Sequence, residues 1–233
     1  MDNYELQDIL ARISEIINKP ELSAARELAV DVMSVCNPVA GIAAGAVNKL
    51  ITDYEAYKLT LLLKGLSTNL NMEKRINELY NYINKSDENA INVANIFKKT
   101  INAESPKACL IYGLVIADHL ASNKSFSQEE LIVSKALENC TDYDLNLFKE
   151  IMEQYGVKAE DGRTSIVLPS DMANEGKYII TCDWCVYNRL FVMDSIKAED
   201  STIVYGRFYY TSEPANILLK YIDDLHRVWD YQQ

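Results

Sequence analysis

Two cysteines separated by two residues, Cys182-Asp183-Trp184-Cys185, are the first place in this chain where residue type and spacing could do chemistry. A C-x-x-C pair at the start of a helix is the arrangement of a working dithiol. The unsatisfied N–H groups and the dipole of the helix N-terminus favour thiolate and lower the pKa of the first cysteine. The sequence reads that way locally, with a strand expected over residues 177–181 and a helix over 182–196. The surroundings do not complete a redox domain, because no β-α-β unit precedes the pair and no proline-bearing strand follows it. A zinc site needs two more ligands. There is no second C-x-x-C, and His119 and His226 have no ligand-like spacing. Two cysteines three apart on a helix share a face, so the bland expectation is a pair of buried core thiols.

The uncharged run of residues 32–48, opening at Val32 and closing at Asn48, holds Gly41 and Gly45 in a G-x-x-x-G spacing. Small residues at i and i+4 let two helices approach closely, in water or in lipid. The run is interrupted by Asn37-Pro38 and is shorter than the roughly 20 apolar residues that a spanning helix needs. A tight helix crossing is the expectation, no stable membrane span is foreseen, and a membrane-active effector using this segment is the alternative.

His119 follows Asp118 near the end of an apolar helix, where a general base could be polarised. No serine or cysteine nucleophile pattern accompanies it, and a histidine at a helix C-terminus is favoured by the dipole in any case. Asp223-Asp224 and Glu129-Glu130 read as a solvated face and part of a capping box. The chain has no phosphate-cradling glycine loop, G-x-S-x-G elbow or H-E-x-x-H motif, and only eight glycines from which to build a backbone cradle. These absences point away from an enzyme and call for no cofactor and no metal.

The elements that must position these residues are mostly helices. Apolar residues recur at spacings of three and four along residues 4–18, 22–33 and 42–66, then through Ile76, Leu79 and Ile83. Ser86, Ser105-Pro106, Ser127 and Thr141 have the chemistry of N-caps. After Gly156 the pattern changes. Residues 164–168 and 177–181 read as strands, residues 201–211 as the most strand-like stretch, and Ser212-Glu213-Pro214 as the start of a last helix. The expected fold is mainly α: a bundle of about eight helices over residues 1–156, with a small α+β part over residues 157–233. Two capped helices followed by two strands give residues 127–181 the order of a winged helix. The helix that would enter the groove carries Asp142, Asp144, Glu150 and Glu153 against Lys149, a charge that repels phosphate.

Composition bounds the setting. The net charge is −11 and no segment is strongly basic, so the electrostatic term that dominates nucleic-acid binding is missing. Five cysteines and an acidic start that runs directly into a helical pattern lead us to expect a cytoplasmic protein with reduced thiols. The order of elements over residues 38–156 resembles uncharacterised bacterial and phage-borne helical proteins, which implies a bacterial or mobile-element setting and no particular chemistry. Fifteen tyrosines add a residue type enriched at interfaces. The expectation is a non-catalytic protein that binds another protein or itself as a homodimer, through the strand of residues 201–211 or the last helix. A dithiol redox or metal protein using Cys182 and Cys185 is a further alternative.

Overall fold

The computed structural model describes residues 53–67, 72–158, 164–168, 176–194 and 207–229. The helices expected over residues 4–33 and the run of residues 32–48, with Gly41 and Gly45, lie outside the described residues. The described residues form eight helices and four strands, so the protein is mainly α with a small α+β part. The contacts of the described residues divide them into two compact units, one with those up to Phe126 and from Leu225 on, the other with those from Ser127 to Asp224. The chain's character changes from helix to strand at Gly156.

The first unit holds α1 (Asp53–Leu66), α2 (Met72–Ile83), α3 (Asp87–Asn102) and α4 (Pro106–Ser122). Helix α4 is its centre, because its sequence is apolar on nearly every face and it is buried almost throughout, from Ala108 to Leu120. Its start is fixed locally. Ser105 is extended and its hydroxyl accepts from Ala108 N at 3.0 Å, and Pro106 sits in the first turn where its missing N–H costs nothing. Ser86 caps α3 in the same way.

Helices α1 and α4 cross at glycine. A Cβ on Gly65 would overlap the Leu110 carbonyl oxygen, and one on Gly113 would overlap the Leu62 carbonyl oxygen and lie 2.8 Å from the Gly65 Cα. The two backbones therefore touch with no side chain between them. Around this crossing Leu59, Leu62, Leu63, Leu66, Leu110, Ile111 and Tyr112 are fully buried. A buried lysine joins α1 to the end of α3. Lys58 Nζ donates to the Ile101 carbonyl at 2.8 Å, where a cation also complements the helix dipole, and lies 4.5 Å from the centre of the Tyr54 ring.

The second unit opens with α5 (Gln128–Glu138) and α6 (Asp142–Gln154). Both begin with reciprocal capping boxes. Ser127 exchanges hydrogen bonds with Glu130, and Thr141 does so with Asp144. There follow β1 (Gly156–Lys158), β2 (Thr164–Leu168), α7 (Gly176–Tyr187), β3 (Phe191–Met193), β4 (Arg207–Thr211) and α8 (Glu213–Trp229), of which the part from Leu225 on belongs to the first unit. The strands form one antiparallel sheet in the order β1-β2-β4-β3. One face presents the buried side chains Ile166, Leu168, Phe191, Tyr209 and Thr211. Phe148 of α6 stacks on Phe191 at 5.8 Å and meets the Trp184 ring edge-on at 6.4 Å, which ties α6 and α7 to that face.

Two expectations are corrected here. Residues 177–181 are not a strand but the first half of α7. Their β-branched composition yields to a buried face at Tyr178, Thr181, Cys182 and Cys185, spaced by three and four. The wing drawn with those residues is accordingly not formed, and the hairpin after α6 is β1 with β2. The helix expected to reach residue 196 ends at Tyr187. Arg189 takes the left-handed conformation at φ 61°, and β3 begins two residues later. Of the strand expected over residues 201–211, the described part is Arg207–Thr211. It is paired on both sides, with β2 and with β3.

The crossing of α1 and α4 yields a direct test. Gly113→Ala gains about 1 kcal/mol of helix propensity but drives a methyl group into backbone, and overpacking of this kind costs about 1–3 kcal/mol or more. Urea denaturation should show a net loss for Gly113→Ala and Gly65→Ala. Gly176→Ala, where a Cβ meets nothing within 4 Å, should be neutral or slightly stabilising. Equal midpoints for all three would show that the helices do not cross this closely.

Candidate functional site

The C-x-x-C pair sits in the middle of α7, because that helix starts at Gly176. Cys182 is therefore beyond the first turn, where the dipole and the unpaired N–H groups act. Both thiols are completely buried and neither is in a disulfide. Burial pushes the Cys182 thiol from 9.0 up to about 11, while the neighbouring Tyr209 hydroxyl and the Arg207 guanidinium pull it down by less. Cys185 is displaced upward as well, first by burial and then by the neighbouring Cys182. Burial favours the protonated form of both sulfurs, the opposite of the lowered pKa of a reactive dithiol. Arg207, whose guanidinium is 3.7 Å from Asp183, is a cation that acts on Cys182.

The other candidates also resolve into packing. His119 is buried at the end of α4. Its Nδ1 lies 3.0 Å from the Lys124 carbonyl oxygen, and its ring stacks on Phe126 at 3.9 Å. A carbonyl can only accept, so Nδ1 carries the hydrogen in this contact. His226 is in helix α8. Glu130 is held by its capping box, and Asp223 forms a 2.6 Å ion pair with Lys149. Glu150, counted above as a charge facing a groove, accepts a 2.7 Å hydrogen bond from the buried Tyr178 hydroxyl, which raises the tyrosine's pKa. Among the described residues no group of three or more histidine, cysteine or carboxylate side chains is placed to hold a metal ion. No described helix is long and apolar enough to cross a membrane.

The feature that sequence reading missed is the outer edge of the sheet. Among the described residues, strand β3 lies at one end of the strand order, next to β4 alone. Ser212 N–H donates to the Leu190 carbonyl and Asp194 N–H to the Phe208 carbonyl, so Leu190 and Asp194 direct their peptide groups toward β4. Backbone direction alternates along an antiparallel strand, and the Met193 peptide groups therefore face outward. Phe191 shares that direction but is buried. Val192 and Met193 are 57 and 60 % exposed, and Tyr187, at the end of the helix leading into the strand, is 78 % exposed. On the sheet face opposite the core, Val192 continues a row across all four strands through Tyr210 and Ser165 to the exposed Val157. The available signal was the apolar run Phe191-Val192-Met193 just after Asn188-Arg189, a turn-prone pair, but the expected helix ran over it.

The thiols give a prediction with a defined sign. A thiol at pKa about 11 holds roughly 100-fold less thiolate at pH 8 than a free cysteine. Iodoacetamide should therefore label Cys182 and Cys185 at least that much more slowly in the native protein than in urea. The folded thiols keep their protons above the pH at which unfolded ones lose them. The contribution of Cys182 to stability is complete below about pH 9 and falls away as pH rises through about 11, and that of Cys185 is lost in the same direction. Fast native labelling near neutral pH, read by peptide mass spectrometry, would contradict the buried-thiol assignment.

No family model, no curated protein and no solved structure matches this chain.

Proposed function

We propose that this chain is a non-catalytic, cytoplasmic protein that works by binding another protein, either a distinct partner or a second copy of itself. The observation that carries the reading is the exposure of three apolar side chains at the outer edge of the sheet, Tyr187 before β3 and Val192 and Met193 on its opposite faces. Single exposed apolar residues are ordinary on any surface. Here three of them lie within seven residues, at an end of a sheet with outward-facing peptide groups. Edges of this kind are normally guarded by charge or proline. The opposite edge conforms, since β1 ends in the exposed Lys158, whereas β3 carries no charged residue along its length. Exposed tyrosine, methionine and valine together form the sort of surface that supplies affinity when covered.

The choice of a protein partner over nucleic acid rests on charge. The chain carries −11, and α6 has Asp142, Asp144, Glu150 and Glu153 against Lys149. The cytoplasmic setting rests on the free thiols at Cys109, Cys140, Cys182 and Cys185.

Val192→Lys and Met193→Lys should leave stability within about 0.5 kcal/mol, because both positions are exposed. Each should weaken the functional contact by about 10- to 100-fold, the cost of losing one covered apolar side chain. Affinity capture from the native host with wild type and both variants reads this out, with Tyr143→Ser as a control at an exposed tyrosine on α6. Light scattering of the same set at rising concentration decides whether the partner is a second copy. A wild-type partner held equally well by both lysine variants, or a wild-type dimer that neither disrupts, would remove this edge as the binding surface.

A further inference from the structure

We draw no further inference here: the strongest candidate, a second copy paired along the outer edge of β3 at Val192 and Met193, carries nothing because the adjoining Phe191 is buried and nothing in the structure shows what covers the exposed patch.

Discussion

The second unit depends on one constraint, that residues 176–187 bury a helical stripe and not a strand face. Tyr178, Thr181, Cys182 and Cys185 recur at three and four, and a helix sinks all four together. Once that segment is helical, the sheet has only β1, β2, β3 and β4 to draw on. Its strand order then leaves β3 on the outside. The cysteines become core residues in the middle of a helix, and the chain must turn sharply after Tyr187 to return to the sheet. Arg189 makes that turn in the left-handed region, with the Ser212 hydroxyl donating to the Arg189 carbonyl at 2.7 Å to hold it. The burial of the thiols and the outer place of β3 among the described strands share this cause.

The same dependence explains what was legible in the sequence. Ser86, Ser105, Ser127 and Thr141 could be read as caps because a cap is a local event: a side-chain oxygen reaches a backbone N–H three residues on, and nothing distant is consulted. Strand β2 was read with its bounds for a related reason, since a turn signal and Pro169 bracket it. Residues 177–181 were misread because Tyr-Ile-Ile-Thr has strand composition, and only packing against Phe148 and the sheet selects the helix. Strands β1 and β3 are three residues each, too short to show a period of two, and exist because longer neighbours pair with them.

Close helix packing was anticipated as a type of contact at residues that lie outside the described ones, and the described residues show it elsewhere. Gly41 and Gly45 stand four apart on one stretch of chain, the spacing that a motif search finds. The crossing in the first unit uses one glycine from each of two helices, Gly65 and Gly113. No spacing rule joins them, because the juxtaposition is made by α1 and α4 folding together. For the candidate site, residue types alone nominated Cys182 and Cys185 correctly as buried thiols but placed them at a helix start. The exposed edge at Val192 and Met193 was hidden inside an expected helix.

The glycine crossing also limits how this protein can vary. Where a side chain is overpacked, a neighbouring side chain can shrink or change rotamer, and a second substitution can restore the fit. At Gly65 and Gly113 the atoms in the way are the Leu110 and Leu62 carbonyl oxygens, which no substitution can shorten. Neither glycine can make room for the other, since both are already the smallest residue. Compensation would have to come from moving a whole helix, which would disturb the fully buried leucines on either side. The two positions therefore lack second-site suppressors among their own contacts, and variation in the first unit is confined to places where side chain meets side chain.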